Sequence, residues 1–170
     1  DSFAVAESNL VAVETAKLVA AGDAGMIYPL VMWGPPGCGK THLMQALGAQ
    51  AQALTPGLIV EYFAAELFAS EFHRSLRERT MTSFKDRVRG ADILLIDDIQ
   101  FMANKDATLE ELLRTCEAFF GSGKRIVLSA SRSPNEIEGL SDRMRSRLSR
   151  GTVVRRRGVF REAHAAPASS

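Results

Sequence analysis

Gly34-Pro35-Pro36-Gly37-Cys38-Gly39-Lys40-Thr41 follows an apolar run, Leu30-Val31-Met32-Trp33, and precedes a helix-like stretch from Thr41 to Leu54. A strand, a glycine-rich turn and a helix form the context in which this pattern makes a phosphate-binding loop. The glycines let the backbone curl until successive N–H groups point inward at phosphate oxygens, where a side chain would collide. The helix that follows adds the positive end of its dipole. The spacing assigns Lys40 to the β- and γ-phosphates of a nucleoside triphosphate such as ATP, and the Thr41 hydroxyl to a Mg²⁺ ion.

Ile93-Leu94-Leu95-Ile96-Asp97-Asp98 supplies the other half of such a site. An apolar strand that ends in two carboxylates delivers them to the carboxyl edge of a parallel sheet, beside the loop. Asp97 then holds the metal, and Asp98 orients or deprotonates the attacking water. Paired acids after a strand also occur as solvated turns or helix caps; the upstream loop favours the site. Ser129-Ala130-Ser131 reaches the same edge, where a hydroxyl could bond the γ-phosphate or simply open the turn into Ser133-Pro134. Arg143, Arg145 and Arg147 share a short helix-like stretch. There a guanidinium could neutralise a transferring phosphoryl group, in its own chain or a neighbour's, or belong to a solvated basic face.

Around these motifs, strands alternate with helices. Residues 8–21 carry Leu10, Val11, Val13, Leu18 and Val19 at helical spacing. Leu58–Phe63, Ile126–Ser131 and Val153-Val154 read as further strands. Ala64–Arg79 reads as an amphipathic helix with Leu67, Phe68, Phe72 and Leu76 inward; Met81–Arg89, Thr108–Phe120, Asn135–Ile137 and Ser141–Leu148 also read as helices. This order predicts an α/β fold with right-handed crossovers and a parallel sheet of five strands covered on both faces. The core is expected over residues 1–154, with 155–170 an irregular or disordered tail.

The chain has 170 residues, 46% of them apolar and 24% charged, with a net charge of +1. This suits one soluble domain and gives no bulk signal for nucleic acid. Cys38 and Cys116 lack metal spacing, and free thiols point to a reducing, cytoplasmic setting. No apolar run approaches the ~18–20 residues of a membrane span. The chain opens on Asp1 rather than Met, which suggests an excised domain.

With these motifs in place, the chain resembles the ATPase domain of DnaA, the bacterial replication-initiator family of the AAA+ superfamily, from about Ser2 to Val154. Phe3-Ala4-Val5-Ala6-Glu7-Ser8-Asn9 resembles the family's entry segment, which packs near the adenine, so Val5 and Asn9 join the cofactor-binding candidates. Gly39-Lys40-Thr41-His42-Leu43-Met44 resembles the family's loop-to-helix junction and adds His42. Leu94 to Phe101 is close to a family signature. Asp142-Arg143-Met144-Arg145-Ser146-Arg147 matches the box whose arginine finger maps onto Arg147.

The resemblance implies a P-loop NTPase (AAA+) three-layer αβα sandwich that binds ATP or ADP with Mg²⁺. The cofactor-binding set is then Val5, Asn9, Gly34, Pro35, Pro36, Gly37, Cys38, Gly39, Lys40, Thr41 and His42. The metal set is Thr41 and Asp97, and the catalytic set Lys40, Asp98 and Arg147. It also implies an ATP-driven filament on origin DNA and strand opening, with slow hydrolysis as the off-switch, in the nucleoid-associated cytoplasm of a bacterium. The helices between Ala64 and Arg89 occupy the family's insertion, which lines its channel for single-stranded DNA. Arg74 and Arg77, with Arg79, Lys85, Arg87 and Arg89, are then DNA candidates, against a solvated face balanced by Glu71, Glu78 and Asp86. A replicative helicase, a regulatory AAA+ protein and membrane phospholipid are further partners of that kind.

The sequence departs from the family pattern at Ser131, where an Asp is usual, and at Leu148 and Arg150, where an aromatic pair is common. After Val154 the likeness stops, so the lid subdomain and the duplex-reading C-terminal domain are expected to be absent, and hydrolysis slow. The rival expectations are a DnaA-like regulator without a duplex-binding domain, a helicase loader, and a nucleotide-gated interaction module that does not turn over.

Overall fold

The structure, a computed structural model, describes residues 10–156. In chain order it contains α1 (Leu10–Ala21), β1 (Leu30–Trp33), α2 (Lys40–Leu54), β2 (Val60–Ala64), α3 (Ala65–Glu78), α4 (Met81–Arg89), β3 (Ile93–Asp97), α5 (Asp106–Phe119), β4 (Arg125–Ala130), α6 (Asp142–Arg150) and β5 (Thr152–Arg155). The five strands form one sheet in the order β2-β3-β4-β1-β5, every pairing parallel. The apolar runs of β1 and β3 are continuous because both faces of the sheet are covered. Alternate side chains enter opposite layers: Leu30, Met32, Ile93 and Leu95 pack with α1 and α2, whereas Val31, Leu94 and Ile96 pack with α3, α4, α5 and α6. This is the three-layer sandwich that the alternation of elements predicts.

Several local expectations change. In α1 the buried face is Ala12, Thr15, Ala16, Val19 and Ala20, while Leu10, Val11 and Leu18 are exposed. Small side chains let α1 lie close against α2, and they set its orientation despite being the less apolar choice. In α3, Phe68, Phe72 and Ser75 face inward, and Leu67 and Leu76 stand outside at 47% and 51% exposure. Leu67 precedes Phe68 by one residue and so lies about 100° around the helix from it. The expected helix at Asn135–Ile137 is a 3-10 turn over Pro134–Glu136, and a further 3-10 turn spans Ile99–Met102. The ordered core also runs past Val154: β5 continues to Arg155, and Arg156 is fully buried.

Helices α3 and α4 are tied to the body by charge. Arg87 donates to Glu61 at 3.0 Å and to Glu71 at 2.9 Å, and its guanidinium lies 4.7 Å from the centre of the Phe63 ring. Glu111 of α5, 1% exposed, accepts from Arg89 at 3.1 Å, with Lys85 and Arg114 at 4.0 Å and 3.9 Å. Lys85, Arg87 and Arg89 therefore serve this packing, a role that their sequence does not show. Removing the nearest cation from a buried carboxylate is more damaging than removing both partners. Arg89→Ala is expected to cost about 3 kcal/mol in urea denaturation, and Arg89→Ala/Glu111→Ala to be more stable than the single variant.

Candidate functional site

The loop between β1 and α2 begins where β1 and β4 end together: the Gly34 N–H donates to the Ala130 carbonyl at 3.1 Å. A Cβ on Gly34 would sit 2.0 Å from the Arg156 carbonyl oxygen, so no other residue fits there. Gly37 and Gly39 have φ values of 80° and 91°, the left-handed region open chiefly to glycine. The Lys40 Nζ donates to the carbonyls of Gly34 at 2.7 Å and Pro35 at 3.1 Å, and it lies 3.7 Å from the Cys38 Sγ. Lys40 is the first residue of α2, so the ammonium is held inside the loop that the helix terminates.

Across the sheet, Asp97 closes β3 and is 3% exposed. Its carboxylate collects three hydroxyl donors. Thr41 Oγ1 donates at 2.5 Å and Tyr62 Oη at 2.8 Å, both to Oδ2, while Ser129 Oγ donates to Oδ1. Burial, and then this bond to Asp97, pushes the Tyr62 hydroxyl pKa well above its usual value, so Tyr62 stays a donor. The Asp98 backbone N–H donates to the same Ser129 hydroxyl at 2.8 Å. Asp98 has φ 61° and ψ 55°, a left-handed conformation that starts the 3-10 turn. Such a conformation is uncommon outside glycine, and Asp tolerates it better than most residues. It turns Asp98 out of the strand direction that Asp97 follows. Gln100 bridges onward, donating to Asp98 Oδ1 at 3.3 Å and accepting from the Ser131 N–H at 3.1 Å.

A cleft of about 610 Å³ opens between the loop and the strand ends, and Asp97, Tyr62 and Ser129 are not among its lining residues. Pro36, Gly37, Gly39, Lys40, Thr41 and His42 line one side, and Asp98, Gln100, Phe101 and Ser131 line the other. Gly34, Pro35 and Cys38 lie behind that surface, where they hold Lys40. Val5 and Asn9 fall outside the described residues. Arg147 is not brought to the cleft: it stands on α6 with its guanidinium 4.9 Å from the centre of the Phe120 ring. Arg74 and Arg77 are exposed on α3. Burial pushes the Cys116 thiol up to about 12, which suits a packing role.

Sequence reasoning did not single out Tyr62, Gln100 or the part played by Ser129. Tyr62 had one usable signal, a hydroxyl near the end of the strand that follows the loop helix. Gln100 had another, an amide two residues after the acid pair.

A glycine loop leading into a helix, with strand-borne carboxylates beside it on a parallel sheet, defines a P-loop nucleotide-binding fold. The family model of the bacterial DnaA ATPase domain matches residues 1–155, and the chain belongs to that family. The chromosomal replication initiator protein DnaA of Ruegeria sp. (strain TM1040) is 45% identical over 154 residues, covering 91% of this chain and 33% of that protein. The chain thus spans about a third of the length of the curated relatives it matches. Domain III of the Thermotoga maritima replication initiation protein DnaA superposes with a TM-score of 0.84 at 36% identity, covering 90% of this chain and 64% of that one. A replication initiator DnaA bound to AMPPCP and single-stranded DNA also gives 0.84, at 33% identity, covering 90% of this chain and 47% of the other. Among the described residues no helix is long and apolar enough to cross a membrane.

Proposed function

We propose that this chain is the ATP-binding and ATP-hydrolysing module of a bacterial replication initiator. In this reading ATP drives its self-assembly on origin DNA, and slow hydrolysis reverses it. The observation that carries the reading is the 2.5 Å contact between Thr41 Oγ1 and Asp97 Oδ2, at the mouth of a loop that holds the Lys40 ammonium. It supports a common site for a triphosphate and its cation. A hydroxyl and a carboxylate are hard oxygen donors of the kind Mg²⁺ takes, one or two from protein and the rest from phosphate and water. When bound, the ion neutralises charge on the β- and γ-phosphates. Lys40 leaves its carbonyl acceptors for phosphate oxygens, the backbone of Gly37, Gly39, Lys40 and Thr41 supplies N–H donors, and Asp98 takes a proton from, or orients, the attacking water. Gln100 fixes the Asp98 carboxylate. Arg147, distant from its own cleft, acts on the nucleotide of a neighbouring subunit.

Calorimetric titration with ATP and ADP, followed by ATPase assays with and without single-stranded DNA, tests this reading. Absence of nucleotide binding would overturn it. Binding without turnover would leave only the nucleotide-gated module. Membership of the initiator family weighs against a helicase loader.

Single-stranded DNA is a proposed partner, as it is for the relative whose structure contains it. Arg74 and Arg77 are the chain's own support, both exposed on the insertion. Arg74→Ala/Arg77→Ala is expected to weaken binding and to lower the slope of log affinity against log salt by about 1.4, at about 0.7 per phosphate contact. An unchanged slope in fluorescence anisotropy would remove these arginines from the DNA path. The replicative helicase, a regulatory AAA+ protein and membrane phospholipid are proposed only as partners of the whole initiator.

A further inference from the structure

We propose that Arg156 is a positioning residue of the phosphate loop, holding it from behind in the form that receives a nucleotide. The inference rests on the nucleotide reading above. Arg156 directly follows β5 and is fully buried, unusual for a guanidinium. Its backbone N–H donates to the Trp33 carbonyl at 2.6 Å, and so continues the pairing of β5 with β1 up to the residue before the loop. Its Nε donates to the Cys38 carbonyl at 3.1 Å, inside the loop itself. Its Nη2 lies 3.3 Å from the point where a Gly39 Cβ would stand, so a side chain at Gly39 would crowd the guanidinium as well as strain the backbone.

These contacts have a directional consequence. A trans peptide is planar, with its C=O and N–H pointing opposite ways. Arg156 draws the Cys38 carbonyl towards the buried side, and the Gly39 N–H of the same peptide is sent towards the cleft that Gly37, Gly39 and Lys40 line. That N–H belongs to the run of donors that cradles phosphate. Lys40 and Arg156 therefore act on one loop from two directions, Lys40 by contact with the ligand and Arg156 through the Cys38–Gly39 peptide.

Arg156→Met and Arg156→Lys separate this role from simple packing. Met keeps an unbranched stem of similar length and removes only the charged donor, so Arg156→Met is suited to report on binding. ATP and ADP affinities are measured calorimetrically, with the melting temperature recorded with and without ATP. The ³¹P shift of bound ADP is the spectroscopic readout. The Met variant is expected to bind both nucleotides about tenfold more weakly, to gain less melting temperature from ATP, and to shift the β-phosphate resonance. Lys keeps a charge and a donor on a straight stem, and it should recover part of the affinity. Should Arg156→Met fail to fold, the Lys variant decides through the ³¹P shift, an unchanged resonance counting against the proposal. A folded Met variant that binds within twofold of wild type overturns the role of Arg156 alone, and so does equal impairment of Met and Lys. A wild-type chain that binds no nucleotide overturns the nucleotide reading itself.

Discussion

Lys40→Ala is expected to lower ATP affinity by about 100-fold or more while leaving the chain folded. Lys40 is 6% exposed, yet among the described residues its ammonium bonds to neutral acceptors, the carbonyls of Gly34 and Pro35 and the Cys38 sulfur. Phosphate oxygens carry charge and accept more strongly, so the ammonium has reason to exchange partners when a triphosphate enters. A hydrogen bond to a charged group contributes about 1.5–3 kcal/mol. Two such bonds, to β- and γ-oxygens, amount to about 3 kcal/mol at the low end, or two decades in affinity. Gly37 and Gly39 shape the loop through their own backbone angles, and Arg156 and Gly34 anchor it from behind, so its form does not depend on Lys40. Calorimetry with ATP, beside thermal denaturation, checks both halves. An affinity loss below fivefold in the folded variant would mean that the loop does not use its lysine for phosphate.

Asp98→Asn should slow hydrolysis by about 10²–10⁴ and leave ATP affinity near the wild-type value. The two adjacent carboxylates are not equivalent. Asp97 is buried and has its oxygens occupied by Thr41, Tyr62 and Ser129. Asp98 lines the cleft and receives one side-chain amide, from Gln100. The Asp98 carboxylate thus retains acceptor capacity towards the cleft, which a proton-accepting group requires. Asn keeps the shape and tolerates the left-handed backbone at this position, but it cannot take the proton. Single-turnover measurement with saturating ATP isolates the chemical step. A variant hydrolysing at more than a tenth of the wild-type rate would remove Asp98 from that role. Asp97→Asn is the useful contrast, since it should disturb cation-dependent binding first.

The main features of this site are visible in local sequence because each is a short-range pattern. Glycines at 34, 37 and 39 answer to backbone angles and close approach within one turn, and Lys40 and Thr41 follow from the helix that starts there. The alternation of strands and helices likewise follows from periodicity, and it predicts a parallel sheet with both faces covered. Helix faces were harder to read. The alanine face of α1 and the exposure of Leu67 and Leu76 depend on which neighbour each helix meets, and hydrophobicity along the chain does not carry that information.

Contacts between distant segments arise only from assembly of the sheet. The chain alone places Asp97 at a strand end, but the order β2-β3-β4-β1-β5 brings it to Thr41, 56 positions away, and adds Tyr62 and Ser129 from two other strands. The same assembly commits Lys85, Arg87 and Arg89 to carboxylates of the body, although their sequence neighbours suggest one continuous basic surface. It also turns Arg156 from a residue of an apparent basic tail into a buried contact of the phosphate loop, 118 positions from Cys38. The physical reason is common to all three cases. Turn angles and side-chain periodicity are set by near neighbours, whereas hydrogen-bond and charge partners are set by which strands lie side by side.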